Sequence, residues 1–221
     1  ELKKLYVPPP NSHKGQNGKL MVIGGSKLFH AASIWSLKVA SRIVDMVYYS
    51  SVPINNEVAK EVWRSQISLR EKFRDGIVVS RNKIENYIDE ADCILIGPGL
   101  PRLEGQEEGD DDTKYLTESL LKKYPDKKWV IDGGSLQVID PSFIPPSAIL
   151  TPHKKEFEKL FSRVIPNSFR DLNLDSNKML KQVQHDKEVA EMAKKYNCVI
   201  LLKGATDIVC SSNECVKIEG G

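Results

Sequence analysis

Nothing in the sequence approaches the roughly 20 consecutive apolar residues that a membrane-spanning helix needs, so no span is expected. None of the four cysteines, Cys93, Cys198, Cys210 and Cys215, stands at C-x-x-C spacing from another, which removes the usual zinc and redox readings. The formal net charge is only +2, too small to indicate nucleic acid or an anionic membrane as partner. The common phosphate-binding fingerprints are missing as well. Gly24-Gly25-Ser26 has no third glycine for G-x-G-x-x-G, and Gly18-Lys19 precedes a strand-like run where a P-loop would follow one.

What is present is a pattern of short β-branched runs alternating with longer helical ones. Strands are expected at 19–24, 46–52, 76–80, 92–96, 128–131, 147–150 and 198–202. Helices are expected at 32–44, 53–65, 81–90, 113–124, 153–161 and 185–196, the second with its proline in the first turn. Such alternation, with continuously apolar strands, means a mainly parallel sheet covered by helices on both faces. Residues 208–218 instead read as two short strands around Ser212-Asn213, a hairpin at the sheet's edge. The 221 residues suit a single α/β domain, 1–221, with a polar, aperiodic segment at 163–181 expected as a surface insertion. The chain begins with Glu1 and ends on Glu219-Gly220-Gly221. Gly-Gly after a strand opens a turn, so the domain is expected to be incomplete at its C-terminus.

Cys93 and Cys198 sit in apolar strand-like runs, and buried thiols in a reducing cytoplasm are the expected state. Cys210 and Cys215 can face each other across the hairpin, but two thiols do not make a zinc site. Trp35, Trp63 and Trp129 are expected as packing aromatics, and His13 and His185 as solvent-facing. The acidic run 104–112 leads into a helix and reads as a solvated, dipole-compensating start rather than a Mg²⁺ site.

The residues just after each strand carry the functional signal. They are Gly24-Gly25-Ser26, Gly97-Pro98-Gly99, Asp132-Gly133-Gly134-Ser135, Thr151-Pro152-His153 and Lys203-Gly204-Ala205-Thr206-Asp207. Each has a plain structural use: a turn, or a helix cap at Asp132 or His153. In a parallel sheet, however, all of them fall along the carboxyl edge, where open α/β sheets bind ligands. Backbone amides after glycines, a helix N-terminus and Lys203 make a cradle for a polyanion, with Asp132 able to hold Mg²⁺ directly or through water.

The ordered motifs HKGQNGKLMVIGGS (13–26), IGPGL (96–100), IDGGSLQ (131–137), ILTPHKKEF (149–157) and LLKGATDI (201–208) resemble those of the ADP- or ATP-dependent NAD(P)H-hydrate dehydratases, which are ribokinase-like. The resemblance covers nearly the whole chain, and LTPHKKEF is its most telling part. It implies repair of hydrated NADH or NADPH: the ring hydroxyl is phosphorylated from ADP or ATP, and phosphate is then eliminated. It further implies that Ala32, Gly99, Asp132 and His153 meet the hydrated dinucleotide, that Lys203, Gly204, Ala205, Thr206 and Asp207 form the adenine-nucleotide loop, and that Mg²⁺ assists. Departures are Ala31 in place of a glycine and Asp132-Gly133-Gly134-Ser135 in place of a D-A-D-A. The family's G-G-T-G-D helix start, with its base aspartate, does not occur in residues 1–221, so no catalytic base is identified here. Other readings are a ribokinase-like small-molecule kinase and a degenerate, non-catalytic nucleotide-binding module. The oligomeric state is left open, a homo-oligomer included.

Overall fold

The computed structural model describes residues 6–68, 76–102, 105–162 and 178–219. Among these residues nine strands form one sheet: β1 (Lys19–Ile23), β2 (Met46–Ser50), β3 (Ile77–Val78), β4 (Cys93–Ile96), β5 (Lys128–Ile131), β6 (Ile149–Leu150), β7 (Val199–Leu202), β8 (Thr206–Cys210) and β9 (Cys215–Glu219). Their order is β3-β2-β1-β4-β5-β6-β7-β8-β9. The strands from β3 through β7 pair in parallel, whereas β7–β8 and β8–β9 are antiparallel. The chain runs outward from β1 to β3 and then returns to place β4 on the other flank of β1. The β1/β4 boundary is therefore the topological switch point.

The described connections hold seven α-helices: α1 (His30–Ala40), α2 (Pro53–Ser68), α3 (Ile84–Glu90), α4 (Thr113–Lys123), α5 (Gly133–Val138), α6 (Lys154–Phe161) and α7 (Lys178–Tyr196). They divide unequally between the two faces. Ile84 and Ile88 of α3, Leu120 and Leu121 of α4, Leu136 of α5, Phe157 and Phe161 of α6 and Val189 of α7 join one large core against Ile23, Ile94, Ile96, Trp129, Ile131, Leu150 and Ile200. On the other face, Leu37 and Ala40 of α1 and Ala59 of α2 meet Val22, Val47 and Tyr49. Val130, Ile149 and Val199, aligned by register on this second face, lie outside both buried clusters, and Ile149 is 40% exposed.

Most elements lie where periodicity places them; the differences have local causes. Ser147 adopts φ +66°, which confines β6 to Ile149–Leu150. A 3-10 turn (Arg81–Lys83) precedes α3. Helix α7 begins at Lys178, so residues 178–181 of the expected insertion are helical, while 163–177 lie outside the described residues, as does the side chain of Trp63. His185 falls inside α7, with its side chain likewise outside them. Trp129 is buried as expected, but Trp35 is 66% exposed and is no part of the core. Cys93 and Cys198 are free, and burial pushes the Cys198 thiol up to about 12. Cys210 and Cys215, cross-strand partners at the hairpin's closed end, form a disulfide instead of remaining thiols. The β8–β9 register brings their Cα atoms to 4.1 Å.

Candidate functional site at the carboxyl edge of the sheet

The strand ends named in the sequence come together as one continuous edge. At β1, the Gly25 N–H donates to the Pro98 carbonyl at 2.8 Å. A Cβ on Gly24 would stand 2.3 Å from that same carbonyl, and one on Gly99 2.2 Å from the Phe29 carbonyl. The loops after β1 and β4 are thus pressed backbone to backbone, which only glycine permits. Between β4 and β5 the approach is closer still: Gly97 has φ +116°, and a Cβ there would fall 1.8 Å from the Asp132 carbonyl. From β5 the edge continues through side chains. Asp132 Oδ1 accepts from Thr151 Oγ1 at 2.7 Å and from Lys203 Nζ at 2.9 Å. Finally the Lys203 N–H donates to the Pro152 carbonyl at 2.9 Å, and His153 and Lys203 form a parallel bridge beyond β6 and β7.

The glycine loop itself differs from the anion cradle expected of it. The Gly24 N–H is spent on the Ser50 carbonyl (3.1 Å) and that of Gly25 on Pro98. Ser26 is fully buried; its Oγ accepts from the Phe29 N–H at 3.0 Å and its carbonyl from Asn55 Nδ2 at 2.8 Å. A Cβ on Gly25 would meet Ser51 Oγ, Ser33 Oγ and Asn55 Nδ2 within 2.8 Å. The loop therefore closes onto a buried polar layer, and neither glycine amide is turned toward a ligand. Ala32, in the first turn of α1, is exposed.

The acidic run also departs from a solvated helix start. Asp112 does cap α4, accepting from the Tyr115 N–H at 3.0 Å. Asp110, however, accepts from the Lys27 N–H at 2.9 Å, and the Lys27 ammonium reaches the Glu108 carbonyl. Asp111 takes the fork of Arg81 through Nε and Nη2, the closest contact being 2.7 Å. Arg81 also donates to the Ser50 carbonyl at 2.9 Å and the Gly24 carbonyl at 3.3 Å. One guanidinium thus ties the acidic loop over the ends of β1 and β2. Nothing in the sequence singled out Arg81 or Asn55. Thr151 was legible as part of the strand-end segment Thr151-Pro152-His153, but its bond to Asp132 was not.

His153 does cap α6. Its Nδ1 accepts from the Glu156 N–H at 3.2 Å, and Glu156 Oε2 accepts from the His153 N–H at 2.9 Å, a reciprocal capping box. With Nδ1 used as an acceptor, the neutral ring carries its proton on Nε2. Gln137 Nε2 donates to Glu156 Oε1 at 3.0 Å, which fastens the motif after β5 to the motif after β6. Asp132, by contrast, precedes α5 but makes no side-chain cap. In the Lys203–Asp207 loop, Asp207 Oδ1 accepts from the Gly204 N–H at 2.9 Å, so this carboxylate shapes the turn into β8. Lys203, Gly204 and Ala205 are exposed.

Asp132, which the sequence offers as able to hold Mg²⁺, has the Lys203 ammonium against its Oδ1. Among the described residues no group of three or more His, Cys, Asp or Glu is placed to hold a metal ion. The HKGQNG motif sits at the opposite edge, before β1. Asp45 organises it by accepting from the Gly15 and Asn17 N–H groups and from Asn17 Nδ2, and these bonds hold its carboxyl below the ordinary carboxylate value.

A family model described as NAD(P)H-hydrate dehydratase matches residues 20–221. The chain belongs to that family. A bifunctional NAD(P)H-hydrate repair enzyme of Methanocaldococcus jannaschii is 32% identical over 219 residues, covering 96% of this chain but only 36% of its own length. An ADP-dependent (S)-NAD(P)H-hydrate dehydratase of Nitrosopumilus maritimus is 31% identical over 220 residues, covering 96% of this chain and 69% of its own. The chain thus spans about a third of one of these dehydratase-family relatives and just over two thirds of the other. Among solved structures, a ribokinase-like superfamily protein of Enterococcus faecalis superposes with TM-score 0.66 at 19% identity, over 97% of this chain and 67% of that one. An ADP/ATP-dependent NAD(P)H-hydrate dehydratase of Bacillus subtilis, co-crystallised with ATP and Mg²⁺, gives 0.64 at 20% identity, over 98% and 69%. These two establish that the dehydratase family's fold here is ribokinase-like.

Proposed function

We propose that this chain carries the nucleotide- and substrate-binding edge of an ADP- or ATP-dependent dehydratase that restores hydrated NADH or NADPH. What supports the reading is the convergence of Gly99, Asp132, Thr151, His153 and Lys203 on one sheet edge in a chain of this family. The N. maritimus relative is named for ADP dependence, and a relative from Arabidopsis thaliana for ATP dependence. Hydroxide leaves a ring carbon poorly and phosphate leaves well, which is the reason to phosphorylate before eliminating. Phosphoryl transfer asks the protein chiefly for positioning and charge neutralisation. Lys203, held in place by Asp132, supplies a fixed cation beside the Lys203–Asp207 loop, where we place the nucleotide. His153 offers its Nε2–H to the dinucleotide, and Gly99 lets that ligand lie close to the backbone. Ala32 flanks the same edge. We assign no step to Mg²⁺ and none to a base aspartate within residues 1–221.

The test is incubation of the chain with hydrated NADH and ADP or ATP, following dihydronicotinamide absorbance and released phosphate. The expected outcome is absorbance recovery that requires nucleotide, with phosphate released in step. Turnover of another small alcohol, with hydrated NADH untouched, would instead make the protein a kinase. One observation favours a second reading, a non-catalytic nucleotide-binding module: the cleft carboxylate Asp132 is already neutralised by Lys203. Saturable nucleotide binding without turnover of any alcohol would establish that reading.

A further inference from the structure

The Cys210–Cys215 disulfide has one covered end and one open end. Cys210, the last residue of β8, is fully buried and belongs to the large core, whereas Cys215, the first of β9, is exposed. A thiol arriving from solution therefore meets Cys215 and not Cys210. Beside Cys215 lies a hollow of about 240 Å³, walled by Ala190, Glu191 and Lys194 of α7 and by the turn 211–214. It is smaller than the roughly 300–1,000 Å³ of a drug-sized ligand's pocket. Its wall carries opposite charges, Glu191 and Lys194, three residues apart on one helix face. All five residues of β9 are exposed, so its ladder to β8 gains little from apolar burial. What holds β9 is that ladder, the Lys217–Asp186 ion pair and the disulfide. The ladder runs unbroken from Cys210 and Cys215 to Thr206 and Glu219.

We infer that Cys210–Cys215 is a reversible thiol-exchange site, opened by a small amino-acid thiol seated in this hollow, and that opening releases β9 from β8. The ligand's ammonium suits Glu191 and its carboxylate suits Lys194, which leaves its sulfur beside Cys215. The ligand thiolate attacks Cys215 Sγ and the protein S–S bond breaks. Cys210 departs with the electron pair and takes up a proton, leaving a mixed disulfide on Cys215. A second molecule of the thiol attacks the ligand sulfur of that mixed disulfide. Cys215 is freed as a thiol and the ligand leaves as its symmetrical disulfide. Two thiols are thus oxidised for each protein disulfide reduced. Thr206 and Asp207, which open β8, also lie in the loop where the nucleotide is placed. Opening therefore weakens nucleotide binding too, a step that alone rests on the proposed function.

The test treats the folded chain with cysteine or, as the uncharged comparison, 2-mercaptoethanol, and maps the adduct by peptide mass. Cysteine is expected to open the bond without denaturant and to leave its adduct on Cys215. Lys194→Met is expected to slow cysteine about threefold and to leave the rate with 2-mercaptoethanol unchanged. Hydrogen exchange in residues 215–219 is expected to quicken at least about tenfold on reduction. Cys215→Ser should show the same exchange without any thiol, while β1 and β4 stay protected. An adduct on Cys210, a bond that opens only in urea, or a Lys194→Met variant that slows both thiols alike would overturn the site. Unchanged exchange in Cys215→Ser would overturn the release of β9. Calorimetry with ADP tests the last step: a Kd roughly fivefold weaker in Cys215→Ser supports it, and an equal Kd overturns it. No ADP binding by the disulfide form would count against the proposed function, while adduct and exchange still decide the thiol site.

Discussion

Among the described glycines, Gly97 makes the tightest backbone approach and gives the sharpest test of the geometry. Gly97 ends β4 with φ +116°, and a methyl group there would lie 1.8 Å from the Asp132 carbonyl oxygen, 2.8 Å from its carbon and 3.1 Å from Ser135 Cβ. The obstructing atoms are backbone, so Gly97→Ala is relieved only by parting the loops after β4 and β5. Reaching the 3.0 Å that real Cβ atoms respect takes a shift of about 1.2 Å, of the order at which sites lose function. The backbone conformation alone costs an alanine roughly 1–3 kcal/mol, and forcing packed elements apart adds about 1–3 kcal/mol. A loss of about 2–6 kcal/mol is therefore expected, read as a lowered urea midpoint at unchanged m-value. Gly204→Ala is the control. Its Cβ would find nothing nearer than the Thr206 carbonyl oxygen at 3.3 Å, at an ordinary φ, and a change within about 1 kcal/mol is expected. If Gly97→Ala melts within about 1 kcal/mol of the parent, the loops after β4 and β5 do not meet as described.

Three further outcomes are expected. Arg81→Ala removes the fork that binds Asp111 along with the bonds to the Ser50 and Gly24 carbonyls. It is expected to cost about 1–3 kcal/mol and to speed proteolysis within residues 105–112, with Arg81→Lys restoring only part because it lacks the planar fork. Tyr48 is pushed up to about 12, first by burial and then by its hydrogen bond to Glu90 (2.8 Å). The unfolded chain ionises this phenol near pH 10, so stability holds below that pH and is lost as pH rises toward 12. Tyr48→Phe should flatten that decline in a pH series of urea melts, and an unchanged slope would remove Tyr48 from the account. Thiol titration of the denatured, unreduced chain should count Cys93 and Cys198 alone, with Cys210 and Cys215 appearing after reduction; four thiols without reductant would contradict the pairing.

The fold was legible because β1, β4, β5 and β7 are short apolar runs whose alternation with amphipathic helices leaves a parallel sheet as the only economical packing. The site's location followed, since a parallel sheet puts every strand's end on one edge. Its chemistry was less legible. Gly24 and Gly25 read as amides offered to phosphate, but the same conformational freedom serves the approach to Pro98, and a sequence does not say which carbonyl takes an amide. Asp132 read as able to hold Mg²⁺, while its pairing with Lys203 was out of view because it joins residues 71 apart in sequence. Arg81 stands in no motif; only the folded acidic loop gives it Asp111. Trp35 misled because a tryptophan at helical spacing implies a core, and here the core lies on the opposite side of its helix.

Everything functional in this account passes through the cation that Asp132 holds at the mouth of the nucleotide loop. Calorimetric titration of the chain with ADP, repeated with Lys203→Met, tests it most directly. Saturable binding is expected, raising unfolding stability by about 2.7 kcal/mol at a hundred times Kd, with at least a tenfold weaker Kd in the variant. Binding of equal strength in Lys203→Met would contradict it.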